Sequence, residues 1–160
     1  MPAPPFDCLL LEEIQDAGNL GSILRTAAAA GVREVYLSKG SVFAWSPRVL
    51  RAGQGAHFSL AIREGAALAE VAAAFRGTVV ATCPDAPESL FALDLGPAVA
   101  WIFGNEGAGI SPALAARATR RAHIPMPGGA ESLNVAAAAA VCLFEAVRQR
   151  SAGAGRGAAQ

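Results

Sequence analysis

Short apolar runs alternate along the chain with segments of helical period, and that alternation leaves very few folds open. Residues 6–12 enclose Cys8-Leu9-Leu10-Leu11, apolar on both faces as a strand of a covered parallel sheet must be. Asp16-Ala17-Gly18-Asn19 then supplies turn and N-cap chemistry, and Ile23, Ala27 and Ala30 follow at helical spacing up to Gly31. A second strand at residues 34–38 closes a β-α-β unit whose helix is long enough for a right-handed crossover. Ser46-Pro47 and Ser111-Pro112 each set a capping side chain before a proline at the first helical position. The first of these opens a short helix to residue 52, closed at Gly53. Further strands are predicted at residues 58–62, 78–82, 99–103 and 122–124, with an Ala-rich helix over 66–75 and a last helix over 134–150. Residues 151–160 are small and Gly-rich, and are expected to form a flexible, disordered tail. The fold class is therefore α/β, a mostly parallel sheet with helices on both faces, and its ligands belong beyond the carboxyl ends of the strands.

Composition narrows the function. With 160 residues, 53% of them hydrophobic, residues 1–150 form one domain that needs no staples. No apolar run approaches the roughly 20 residues of a membrane span, and residues 1–5 carry no basic-then-apolar leader, so a cytoplasmic location is expected. Cys8, Cys83 and Cys142 are odd in number and widely spaced, which predicts buried thiols rather than disulfides or a zinc site. His57 and His123 lack metal-ligand partners at usable spacing, so no metal is expected. Thirteen basic residues balance thirteen acidic ones, so any attraction for nucleic acid has to come from a local Arg cluster, a second subunit or a companion domain.

Three of the strand-exit loops are more polar than a connection requires. Gly104-Asn105-Glu106-Gly107-Ala108-Gly109 follows a strand directly but fails both nucleotide-binding fingerprints: a G-x-G-x-x-G begun at Gly107 meets Pro112, and there is no Gly-Lys-Ser/Thr. An ordinary Gly-rich turn would look the same. Ile124-Pro125-Met126-Pro127-Gly128-Gly129 leads to Ser132-Leu133-Asn134 at the mouth of the last helix, where either polar residue could cap the helix or face a ligand. Asn19 and Arg25 stand near two turns apart on the first helix and are expected to project to similar sides. The apolar neighbours of Arg25 imply that it is buried, which requires a carboxylate such as Glu106 or a phosphate beside it.

Taken together, Asn19-Leu20-Gly21-Ser22-Ile23-Leu24-Arg25-Thr26-Ala27, Ile102-Phe103-Gly104-Asn105-Glu106-Gly107-Ala108-Gly109-Ile110, and Ile124-Pro125-Met126 through Ser132-Leu133-Asn134-Val135-Ala136 resemble the SpoU/TrmH branch of the SPOUT RNA methyltransferases in order and spacing. The likeness spans residues 6–150 and includes Ser46-Pro47-Arg48-Val49-Leu50-Arg51-Ala52-Gly53. It implies a deep C-terminal trefoil knot, a homodimer, and methyl transfer from S-adenosyl-L-methionine to a ribose 2′-hydroxyl of RNA. It implies that Gly104, Asn105, Glu106, Gly107, Ile124, Pro125, Met126, Ser132 and Leu133 hold the cofactor, with a contact from Thr82. Arg25 would be the central catalytic residue, reaching the partner's cofactor and supported by Asn19, Glu106, Ser132 and Asn134. The family often has Asp-Pro before its first-motif Asn where this chain has Asp16-Ala17-Gly18; the proline mainly stiffens the turn, so activity should survive. Many rRNA-modifying relatives also carry an N-terminal RNA-recognition domain; without one the sequence reads either as a minimal stand-alone enzyme or, as its neutral charge and start at the first strand favour, as a catalytic fragment.

A guanidinium with a pKa above about 12 is a poor base. Arg25 is therefore expected to hold an RNA phosphate and orient the hydroxyl while phosphate or water takes the proton. Arg48 and Arg51, three residues apart, either touch phosphates from one helix face or are solvated surface charge. Trp45 and Trp101 are expected to pack rather than to stack on bases. The motif wording favours rRNA over tRNA as substrate, although chain length points the other way. A non-catalytic RNA- or cofactor-binding module is opposed by the joint presence of Arg25, Glu106 and Asn134, and a dehydrogenase by the failed glycine fingerprints.

Overall fold

The computed structural model describes residues 6–157. Seven strands make one sheet: β1 Cys8–Leu11, β2 Glu34–Leu37, β3 Ala61–Arg63, β4 Thr78–Thr82, β5 Glu88–Ser89, β6 Val99–Phe103 and β7 Arg120–His123. Their spatial order is β3-β2-β1-β6-β4-β7-β5, and every ladder between them is parallel. Leu9 lies between Val35 and Trp101 in register, and this central run is buried on both faces, as its uninterrupted apolar sequence requires. Five helices cover the sheet: α1 Ala17–Ala29, α2 Pro47–Gly53, α3 Leu68–Ala74, α4 Pro112–Ala115 and α5 Val135–Gly157.

The two-residue period of the strands divides the core. Leu9, Leu11, Val99, Trp101 and Phe103 face one layer with Leu20, Ile23 and Leu24 of α1 and Ala139, Cys142 and Leu143 of α5. Cys8, Leu10, Ala100 and Ile102 face the other with Leu68 and Ala72 of α3 and Leu114 of α4. Each fully buried Leu or Ile in these layers contributes about 1.5–3 kcal/mol. Gly21 lets α1 and α2 touch: a Cβ there would lie 2.3 Å from that of Ala52.

β7 slots between β4 and β5, so the last strand is enclosed by the stretch that precedes it. This order is consistent with the C-terminal knot that the family resemblance implies. At the opposite end of α5, Arg150 makes a bidentate pair with Asp7 at 2.7 and 3.0 Å and also donates to the carbonyls of Leu95 and Pro97. The last helix is thereby tied to the segments that enter β1 and β6.

Several elements differ from expectation. The strand predicted at residues 58–62 starts three residues later, because residues 56–58 form a 3-10 turn that leaves Phe58 92% exposed. β7 begins at Arg120, ahead of the predicted 122, with Arg120 and Arg121 both exposed; β5 pairs only with Ala122 and His123, so this start is an edge on that side and no apolar pattern marks it. β5, only two residues long, carries no sequence signal. The expected disordered tail gives way to helix as far as Gly157, since extending a formed helix through Ala152 and Ala154 needs no new nucleus; residues 158–160 lie outside the described residues, as do residues 1–5. Cys8 and Cys142 are buried, and burial pushes both thiols up to about 12. Cys83, also expected to be buried, is half-exposed. Trp101 is in the core as predicted, whereas Trp45 is 43% exposed. No described helix is long and apolar enough to cross a membrane.

Candidate active site

A cavity of about 680 Å³ opens at the carboxyl ends of β4, β6 and β7, where a parallel sheet is expected to bind ligands. Its walls bring together Asn19 from α1, Thr82 at the end of β4, Gly104, Asn105, Glu106 and Gly107 after β6, and Ile124, Met126, Ser132, Leu133 and Asn134 between β7 and α5. Pro125 does not line it. Ile124 and Met126 on either side of it do, and Pro125 itself is exposed.

The three loops are joined by one hydrogen-bonded chain. The Glu106 carboxylate accepts from the backbone N–H groups of Gln15 and Asp16 at 3.2–3.4 Å and from Asn19 Nδ2 at 3.4 Å. Asn134 Nδ2 donates to Asn19 Oδ1 at 2.9 Å, while Asn134 Oδ1 accepts from the N–H groups of Ala136 and Ala137 at 2.9 and 3.2 Å. Asn134 is thus both the cap of α5 and a member of the site, so the two roles left open by the sequence coincide. Burial raises the Glu106 carboxyl, but the N–H groups of Glu106 itself, Asp16 and Gln15 and the amide of Asn19 outweigh that and hold it below its usual value. Glu106, Asn19 and Asn134 therefore position the walls of the site, with Asp16 capping α1 through a 2.8 Å bond from the Asn19 N–H.

Local chemistry shapes the loop after β6. Asn105 Oδ1 accepts from the N–H groups of Gly107 and Ala108 at 2.9 and 2.8 Å, and its Nδ2 donates to the Glu13 carbonyl at 2.8 Å. The Asn105 side chain therefore holds the turn. A Cβ on Gly104 would lie 2.3–2.5 Å from the backbone of Gly109 and Ile110, so glycine there is a packing requirement of this turn. Glu12 accepts from Ser111 N and Oγ at 2.6 and 2.8 Å, fixing the start of α4 behind the loop.

Arg25 departs from the sequence reading. It is exposed, lies outside the cavity wall, and forms no ion pair with Glu106 or any other described residue. Six residues fall short of the roughly 7.2 that make two helical turns, so Asn19 faces the cavity while Arg25 joins the outward stripe of Gly18, Ser22 and Ala29. Ser132 lines the cavity and is itself exposed. Arg48 and Arg51 are both exposed on α2.

Cys83 and His123 also line the cavity, and sequence reading missed both. His123 Nδ1 lies 2.8 Å from the Ala86 carbonyl. Position at a strand end was the available signal for both. Among the described residues no group of three His, Cys, Asp or Glu side chains could hold a metal ion.

The model of the SpoU rRNA methylase family matches residues 8–144. The chain belongs to this family. Among its relatives, an uncharacterized tRNA/rRNA methyltransferase (slr1673) of Synechocystis is 40% identical over 145 residues, covering 89% of this chain and 53% of the relative. The 23S rRNA (guanosine-2′-O-)-methyltransferase RlmB of Xylella fastidiosa is 39% identical over 149 residues, covering 89% and 59%. The chain thus spans little more than half the length of these relatives. The SpoU methyltransferase AviRb of Streptomyces viridochromogenes superposes with a TM-score of 0.87 at 32% identity, covering 95% of this chain and 63% of AviRb, and has also been solved in complex with AdoMet. The SpoU family match spans all three polar loops that meet at the cavity.

Proposed function

We propose that this protein transfers a methyl group from S-adenosyl-L-methionine to a ribose 2′-hydroxyl of RNA, with ribosomal RNA as the substrate and the cytoplasm as its location. The observation that carries this reading is the chain of bonds from Glu106 through Asn19 to Asn134, which gathers all three family motifs around one cavity. The names of relatives such as RlmB support ribosomal RNA.

The cavity suits the cofactor. Its volume is within the range of about 300–1,000 Å³ usual for small-molecule sites. Ile124, Met126 and Leu133 offer apolar surface for a purine, and the Glu106 and Glu131 carboxylates suit a ligand bearing sulfonium and ammonium charge. When bound, the cofactor supplies an electrophilic methyl group. The chain's own task is alignment, since an in-line displacement gains most from fixed geometry. Arg25 holds a phosphate beside the target ribose and stabilises charge as the hydroxyl proton passes to phosphate or water. Because Arg25 is exposed and lies outside its own cavity, we place it at the cavity of a second copy, so that the working unit is a homodimer. An N-terminal RNA-recognition domain would add affinity that a neutral chain lacks.

Calorimetry with S-adenosyl-L-methionine and with NAD, together with mapping of 2′-O-methyl sites in total RNA with and without the gene, tests the proposal. Cofactor binding and the loss of a ribosomal site are expected. Binding of NAD alone, or a methylation map unchanged by the deletion, would overturn it.

A further inference from the structure

Resting on the RNA-methyltransferase reading, we propose that Trp45 and Phe58, flanked by Arg48 and Arg51, form a platform on which unpaired bases of the substrate RNA stack. Trp45 precedes α2 in the sequence and Phe58 follows it, and the fold joins the two segments through His57. His57, only 3% exposed, has its Nε2 2.7 Å from the Ala44 carbonyl, which ties the approach to α2 to the 3-10 turn that follows it. The Trp45 ring rests against that of His57, with centroids 4.9 Å apart. Trp45 is thus braced from within yet 43% exposed, and the same stretch of chain exposes Phe43 at 59%, Leu50 at 38% and Phe58 at 92%. A folded chain that leaves this much aromatic surface in water marks an interaction site.

Charge identifies the occupant. Although the whole chain is neutral, residues 41–60 contain two arginines and no aspartate or glutamate. Arg48 and Arg51 are exposed and, among the described residues, unpaired. The carboxylate that does reach this segment, Glu64, accepts from the Ala44 N–H at 3.1 Å. Aromatic faces for bases with free guanidinium groups for the backbone are what single-stranded RNA binds.

Position ties the platform to the reaction. α2 packs on α1 where Gly21 meets Ala52, and Arg25 follows Gly21 by one turn on the same side of α1. The protomer that offers Arg25 therefore offers the platform with it. RNA gripped there would present its ribose to the cavity of the other copy.

The test titrates the full chain with labelled oligouridine and with a blunt RNA duplex, following anisotropy and tryptophan fluorescence; Trp101 is fully buried, so quenching reports Trp45. Oligouridine is expected to quench the wild type. Trp45→Ala and Phe58→Ala are each expected to weaken oligouridine binding about tenfold, with duplex binding and S-adenosyl-L-methionine binding unchanged, and Trp45→Phe should restore most of the loss. Removing Arg48 and Arg51 together should lower the salt slope of single-strand binding by roughly 0.7 per side chain. Wild-type affinity in the aromatic variants of a chain that does bind and methylate RNA would overturn the platform alone. Conversion of these variants to monomers would also overturn it, by making the patch an interface with a second copy. Failure of the wild type to bind any RNA would instead sink the reading on which the platform rests.

Discussion

Asn134 Nδ2 donates to Asn19 Oδ1 across 2.9 Å, linking residues 115 positions apart in sequence. The bond runs from the cap of α5 to the first turn of α1, and the other end of the Asn19 amide reaches Glu106. The cavity wall is therefore set by a relay in which each amide has both its ends engaged.

Asn134→Ala is expected to cost about 1 kcal/mol from the lost cap, and also to weaken cofactor binding. Asn134→Asp keeps a capping oxygen but cannot donate to Asn19, so it should stay near wild-type stability while still losing affinity. A double-mutant cycle between Asn19→Ala and Asn134→Ala, read by calorimetry with S-adenosyl-L-methionine, should give a coupling of at least about 0.5 kcal/mol. Strict additivity would mean that the relay carries nothing.

Arg25→Ala should leave stability within about 0.5 kcal/mol, because the side chain is exposed and, among the described residues, unpaired. Methyl transfer should nevertheless fall about 100-fold or more, with cofactor affinity intact. Mixing this variant with Met126→Trp, which blocks the cavity, provides the sharper check. If Arg25 acts on the partner's cavity, heterodimers regain one complete site and activity returns; if it acts within its own protomer, the mixture stays inactive.

Two glycines should differ in what their loss removes. Gly21→Ala drives a methyl group into Ala52, prising α1 from α2 at a cost of about 1–3 kcal/mol in denaturant titration. Gly104→Ala collides with the backbone of Gly109 and Ile110, which cannot swing aside as a side chain can. Loss of cofactor binding by calorimetry is expected even where the variant still folds by circular dichroism.

Acid should loosen the site through Glu106. Its carboxyl is held below the ordinary 4.5 in the folded protein, so between the folded and unfolded values the unfolded chain binds more protons and stability rises with pH. The contribution is fully present above about pH 4.5 and disappears as pH falls through the lowered folded value. Glu106→Gln should flatten this acid limb in urea titrations across pH 2 to 6; an unchanged limb would remove Glu106 as its source.

Much of the fold was legible because local and global preferences agree. β4 and β6 fall on the predicted residues, since strands buried on both faces read as unbroken apolar runs. β5 and the start of β7 were not legible: an edge pairs through backbone groups and leaves side chains such as Arg120 in water. Of the site, the residues on the loops after β6 and β7 were found through their polar chemistry, whereas Cys83 and His123 reach the cavity only because of where their strands end.

The order of the elements other than β5, the place of the cavity beyond the strand ends and the motif residues were determined by the sequence alone, because periodicity and turn chemistry act over a few neighbours. Only the tertiary structure decided that Arg25 faces outward while Asn19 faces in, that Asn134 caps a helix and joins the relay together, and that Trp45 and Phe58 stand exposed. The reason is geometric. Whether a side chain on a helix is buried depends on which neighbour covers its face, and for α1 those neighbours, α2 and α5, are supplied by distant parts of the chain.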